Sequence, residues 1–117
     1  MSNLSELLPS GGGQNAVDFV ASGALSGGQA VALKADGTVE AISAGNISNF
    51  IGITDAAIAD AAIGNVDTWG GLNKKQTGLS ITSSYYVQTD GSITTSAAGT
   101  KIGQAISATT INLMDLT

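Results

Sequence analysis

The stretch GLSITSSYYVQTDGSITTSAAGTKIGQAI, from Gly78 to Ile106, decides how this chain folds. At its centre Asp90-Gly91 separates the β-prone runs Tyr85-Tyr86-Val87-Gln88 and Ser92-Ile93-Thr94-Thr95. An Asp-Gly pair between such runs is among the strongest short-range signals for a β-hairpin. Gly91 can take positive φ without a Cβ penalty, and Asp90 tolerates turn geometry better than most residues. Neighbouring residues of a strand point to opposite faces, so one of Tyr85 and Tyr86 is expected in the core and the other at the surface.

Working outward, the same grammar occurs earlier. Val31-Ala32-Leu33-Lys34 and Val39-Glu40-Ala41-Ile42 flank Asp36-Gly37, and Asp90 stands 54 positions after Asp36. At that offset Leu25-Ser26 matches Leu79-Ser80, Val31 matches Tyr85, Leu33 matches Val87 and Val39 matches Ile93. Ile51-Gly52 matches Ile102-Gly103 at an offset of 51, which implies a shorter loop in the second half. The pattern fits an internal duplication or two hairpins of like composition, and either suits a compact barrel or sandwich.

The remaining segments read as short strands. Val17 to Ala21 places Val17, Phe19 and Ala21 on one face, and Gln29 to Ala35 turns Val31 and Leu33 inward. In Phe50 to Thr54, Gly52 marks a bulge or a close backbone approach. Ala56 to Gly64 is alanine-rich, which favours helix. Ile58 and Ile63 are five apart, however, so they share no helical face. The preferred reading is a strand, a turn near Asp60 and a second strand through Trp69, with a short helix as the alternative. Ile102 to Ile106 and Thr109 to Met114 complete the set, Ile111 and Leu113 sharing a face. The expectation is an all-β fold, with residues 17–117 forming one domain of two similar hairpin halves.

Residues 1–16 differ from this body. Leu4, Leu7 and Leu8 have helical spacing after a capping-box-like Asn3 and Glu6, and Pro9 with Gly11-Gly12-Gly13 stops whatever begins there. Burying three leucines contributes roughly 5–9 kcal/mol. Ordering about ten residues costs on the order of 10–20 kcal/mol. Alone such a segment stays unordered; docked on a partner, in many copies, it can order. It is read as an N-terminal arm, with an ordinary frayed terminus as the alternative.

Composition excludes several function classes. The chain of 117 residues carries net charge −5, and its cations are four lysines, Lys34, Lys74, Lys75 and Lys101, without arginine. Nucleic-acid binding needs clustered cations, so it is not expected. Cysteine and histidine are both absent, which removes disulfides, zinc–thiolate sites and the usual nucleophile–base pairs. No S-x-x-K occurs, and Gly11-Gly12-Gly13 lacks the following Lys-Ser/Thr of a phosphate loop. Asp36 and Asp90 are explained by their turns rather than by Ca²⁺. No cofactor, metal site or catalytic residue is expected, and an enzyme is not. Nor is membrane insertion, for no apolar run approaches the ~18 residues of a spanning helix. The N-terminus lacks a signal-peptide pattern. Only 4% of residues are aromatic, so Trp69 and the exposed tyrosine, Tyr86, become the candidate surface contacts.

Two stretches carry a resemblance. MSNLSELLPSGGGQNAVDFVASGALSGGQAVALKADGTVEAI resembles the start of virion structural proteins of tailed bacteriophages, notably marine and cyanobacterial ones. WGGLNKKQTGLSITSSYYVQTDGSITTSAAGTKIGQAISATTINL is similar to a module of phage head-decoration and fibre proteins, with its Gly-Gly, Gly-Leu-Ser, Tyr-Tyr-Val, Asp-Gly and Gly-x-Ala. The resemblance implies a capsid cement (decoration) protein with a small β-barrel or β-tulip-like body, made in the host cytoplasm and placed on the capsid surface of the virion. Its partners would be the major capsid protein and itself, as a homo-oligomer such as a trimer. The arm residues Leu4, Leu7, Leu8 and Pro9 would lie on the shell or a neighbouring subunit. The alternative is a fibre or receptor/glycan-binding module with Trp69 or Tyr86 as stacking platform.

Overall fold

The computed structural model of the chain describes residues 16–113. Ten strands run in order: β1 (Ala16–Val20), β2 (Ala30–Leu33), β3 (Val39–Ala41), β4 (Phe50–Thr54), β5 (Ile63–Asp67), β6 (Leu72–Asn73), β7 (Ser84–Val87), β8 (Ile93–Thr94), β9 (Thr100–Ala105) and β10 (Ile111–Leu113). One 3-10 turn, Ile47–Asn49, precedes β4, and no α-helix forms among the described residues. The all-β expectation holds. Between barrel and sandwich, the chain forms two five-stranded sheets with antiparallel neighbours throughout, and no closed barrel.

The sheets repeat one plan. Sheet 1 has the order β1-β5-β4-β2-β3 and sheet 2 the order β6-β10-β9-β7-β8, so each strand is replaced by the one five places later. The register repeats too. In sheet 1 Val31 pairs Gly52 and Ala32 pairs Phe50, which leaves Ile51 as a bulge. In sheet 2 Tyr85 pairs Gly103 and Tyr86 pairs Lys101, which leaves Ile102 as the bulge. These are the positions matched in the sequence.

Gly52 and Gly103 are where the backbone leaves no room. A Cβ on Gly52 would sit 2.1 Å from the Asp67 carbonyl oxygen, and one on Gly103 would sit 2.1 Å from that of Asn112. Each bulge therefore presses its strand onto the next one, so glycine is required there.

The two halves meet through opposite faces. Paired residues of antiparallel strands project to one side, so Ala30, Ala32, Phe50 and Ile53 share one face of sheet 1 (face A), and Val31, Leu33 and Val39 share the other (face B). Face A of sheet 1 packs against Tyr85, Val87, Ala105, Ile111 and Leu113 in a shared core. By register, those sheet 2 residues lie on its face B. Face B of sheet 1 forms a second core with Ala21, Leu25 and Ile58, supplied by the segments after β1 and before β5. Sheet 1 is thus covered on both sides, which is why Ala30 and Ala32 are as buried as Val31. A pattern of alternate inward residues does not foresee this.

The segment between β4 and β5 forms neither the expected first strand nor a helix: one bridge residue and a turn lead into β5. Ile58 makes an isolated antiparallel bridge with Leu25, the Ala62 N–H donates to the Ala59 carbonyl across a turn containing Asp60, and β5 follows. Strand β5 ends at Asp67, and Trp69 lies in the next turn rather than in the strand. The two-residue strand β6 is one that the sequence pattern does not predict, and Ala16 belongs to β1 rather than to the arm. The end of β1 also reaches β3, through a parallel bridge between Ala21 and Val39.

Candidate functional site

The two Asp-Gly turns are built alike. In the first, the Lys34 carbonyl accepts from Gly37 N–H at 3.0 Å and the Lys34 N–H donates to Thr38 O at 2.8 Å. In the second, Gln88, Gly91 and Ser92 repeat these bonds at 2.9 and 2.8 Å. Gly37 and Gly91 have φ of +87° and +88°. Each hairpin therefore has a three-residue loop ending in a left-handed glycine. Asp36 Oδ1 accepts from Thr38 N and Oγ1 at 3.0 and 2.6 Å, and Asp90 Oδ1 accepts from Ser92 N and Oγ at 2.9 and 2.7 Å. These bonds, the hydroxyl bond foremost, hold both carboxyls below the usual carboxylate range. Asp36, Gly37, Asp90 and Gly91 are turn formers, and their carboxylates are occupied within the turns.

The adjacent tyrosines divide as their alternation requires. Tyr85 is buried, and its hydroxyl accepts from Ser80 N–H at 2.8 Å. Tyr86 is half-buried on face A of sheet 2, directly between Thr94 of β8 and Lys101 of β9. Trp69 is also half-buried and packs edge-on against Phe50, ring centroids 5.4 Å apart and planes at 64°. Its indole braces the shared core, so Tyr86 is the better placed of the two to meet a partner. Leu4, Leu7, Leu8 and Pro9 lie outside the described residues.

A buried polar knot joins the sheets. Asn73 of β6 donates through Nδ2 to Thr54 O at 3.0 Å and to Asp67 Oδ2 at 2.9 Å, and its Oδ1 accepts from Gln76 Nε2 at 3.0 Å. Gln76 also donates to Gly28 O at 3.0 Å, and Thr54 Oγ1 accepts from Gln29 N at 3.0 Å. Burial pushes the Asp67 carboxyl above its ordinary range, against the Asn73 hydrogen bond, and the nearby Asp55 charge adds to the rise. A raised carboxyl pKa can mark chemistry. Here the geometry is that of a seam: the carboxylate is buried and accepts from an amide of the other sheet. Sequence reasoning missed this knot because Asn73, Thr54 and Asp67 share no short motif.

Exposed apolar side chains gather at two places. Val20 of the edge strand β1 is paired directly to Ile63 of β5, which is 69% exposed, while Val17 is exposed on the opposite face of β1. Ile81 and Ile106 flank the bonded pair Thr82 N–H and Ala105 O at one end of sheet 2. A shallow hollow of about 310 Å³ lies among Leu33, Lys34, Ala35, Asn49 and Ile51, and no charged pair converges on it. Among the described residues no group of three or more His, Cys, Asp or Glu side chains could hold a metal ion, and no helix is long and apolar enough to cross a membrane. No protein-family model, no curated protein and no solved structure matches this chain.

Proposed function

We propose that the chain is a non-enzymatic virion structural protein, a capsid cement protein that binds the outer surface of a phage head and stabilises it. The reading rests on the phage-like opening and hairpin module, and one observation of the structure supports it. The exposed apolar pair formed by Val20 of edge strand β1 and Ile63 of β5 stands close to the leucine-bearing residues 1–15 along β1, with Val17 exposed on the opposite face of the same strand. An apolar edge strand is a ready template for another chain. The arm and this edge together form one contact region: the arm lies on the major capsid protein, and the edge packs against another copy, as in a trimer. Burial repeated over many lattice sites would then resist internal pressure without catalysis.

The test is sedimentation with purified heads of the corresponding phage. The full chain is expected to co-sediment at regular occupancy, and a chain lacking residues 2–13 is expected to stay in the supernatant with an unchanged far-UV spectrum. Ile63→Ser should reduce self-association while leaving the body folded. Unchanged head occupancy after the deletion would refute the arm's role.

A further inference from the structure

Asp36 and Asp90 are followed by glycine, whereas every other Asp and Asn of the chain is followed by a residue with a side chain. An aspartyl bond to glycine can rearrange without a partner, because no Cβ shields the glycine nitrogen. That nitrogen attacks Cγ of the protonated carboxyl, an N–Cγ bond forms, and the N–H proton leaves with the carboxyl hydroxyl as water. Water then opens the five-membered ring at the main-chain carbonyl, which breaks the original C–N bond. The product, an isoaspartate, has unchanged mass, one more methylene in the main chain and a displaced carboxylate.

Both turns oppose this closure. Gly37 N–H is held at Lys34 O at 3.0 Å, and Gly91 N–H at Gln88 O at 2.9 Å. Asp36 Oδ1 is held by the N–H and hydroxyl of Thr38, and Asp90 Oδ1 by those of Ser92, the hydroxyl bonds being the shorter at 2.6 and 2.7 Å. Closing the ring turns nitrogen and carboxyl toward each other, so both sets of bonds must open. The bonds to Oδ1 also favour the ionised carboxylate, a poorer target for attack than the protonated form.

The turns differ in what lies behind them. A Cβ on Gly91 would stand 3.6 and 3.7 Å from Ile42 O and Cβ, ordinary contact with a residue of the shared core. The second turn therefore rests on the first half of the chain. Gly37 is exposed, and a Cβ there would meet nothing within 4 Å. Opening the second turn breaks a packing contact that the first lacks. We propose that Asp36-Gly37 is the chain's site of isoaspartate formation, restrained by the Thr38 hydroxyl, while Asp90-Gly91 is shielded by its contact with Ile42. The consequence is structural. The loop of Ala35, Asp36 and Gly37 sets the register that pairs Leu33 with Val39, and Val39 is fully buried in the second core. Hairpin register follows loop length, so an added methylene misfits it and loosens β3, an edge strand. None of this depends on what the chain binds.

The experiment is prolonged incubation of the full, folded chain at neutral pH, then digestion with trypsin and labelling with an isoaspartate-specific methyltransferase. Cleavage after the lysines places the two sites on separate peptides, 35–74 and 76–101. Each rate is taken relative to that of the same site in urea. The first peptide is expected to gain label ahead of the second. Thr38→Ala should speed formation at Asp36 roughly three- to tenfold, the contribution of one exposed charge-assisted hydrogen bond, and leave Asp90 unchanged. Thr38→Ser keeps the hydroxyl and should react at the parent's rate. Resonance dispersion in ¹⁵N–¹H spectra reports whether each variant is folded. The proposal is overturned if neither peptide gains label, if Asp90 keeps pace with Asp36 in the folded parent, or if folded Thr38→Ala reacts no faster at Asp36.

Discussion

Gly103→Ala tests the central packing argument, that each bulge presses its strand onto the next. The added Cβ would stand 2.1 Å from Asn112 O, 3.0 Å from Asn112 C and 3.2 Å from Ile111 Cγ2, whereas real Cβ atoms essentially never come within 3.0 Å of such neighbours. The oxygen belongs to β10, a strand backbone held between β9 and β6, so relief cannot come from turning a flexible side chain. Either β10 moves out by about 1 Å or ladder bonds between β9 and β10 break. Overpacking of this kind costs roughly 1–3 kcal/mol. Two weakened backbone bonds add about 1–3 kcal/mol. A loss of about 2–6 kcal/mol is expected, a large share of the roughly 5–15 kcal/mol of a typical domain. It should lower Tm by on the order of 10–30 °C.

Thermal and urea unfolding followed by circular dichroism would measure the change. Gly52→Ala should behave alike, since its Cβ would meet Asp67 O at the same distance. Gly45→Ala is the control: only Ser43 Oγ, at 4.0 Å, lies near its Cβ, and the stability change should stay within about 1 kcal/mol. If Gly103→Ala unfolds within about 1 kcal/mol of the parent, the bulge does not enforce close approach and the reasoning fails.

Two further outcomes follow from the repeated plan and the seam. Thr82 has φ of +75°, where its counterpart Gly28 has +73°, so a β-branched residue occupies a glycine position. Thr82→Gly should raise stability by about 0.5–1 kcal/mol, the relief of a left-handed β-branched residue less the added chain entropy of glycine, and a lower urea midpoint would contradict this. Asp67 has a folded pKa above its ordinary 3.8, so the native state holds this proton more tightly than the unfolded chain does. Relative to Asp67→Asn, the parent should therefore lose stability as pH rises from 3.8 through the raised value, and urea curves across that window showing the opposite trend would refute the seam's electrostatics. Asp36 and Asp90 act in the other sense: their stabilisation is present above 3.8 and lost as pH falls through their lowered values. They are common to both proteins and cancel in the comparison.

Much of the local structure is legible in the residues themselves. The Asp-Gly turns at 36–37 and 90–91, the split of Tyr85 from Tyr86 and the turn near Asp60 each depend on a few neighbouring residues, whose conformational preferences are set by sterics, whereas the close approach signalled by Gly52 finds its partner, Asp67 O, only through the sheet. The correspondence of the halves was visible in offsets of 54 and 51, and the strands follow it. The candidate surface was half legible. One of the two adjacent tyrosines could be expected at the surface, but the placing of Tyr86 between Thr94 and Lys101 comes only through the register.

Which face of each half is buried was decided by tertiary structure alone. Strand alternation creates two faces but does not say which one meets a neighbour, because that depends on what other segments cover. In sheet 1 the excursions holding Leu25 and Ile58 cover face B and sheet 2 covers face A, so even Ala30 and Ala32 are core. In sheet 2 the same face A turns away from sheet 1, with Leu72, Ser84, Tyr86, Lys101, Gln104 and Asn112 upon it. Two halves with one strand plan thus differ in exposure, because sheet 1 meets sheet 2 head to tail, face A on face B, and a stack of two so arranged must leave one face A uncovered.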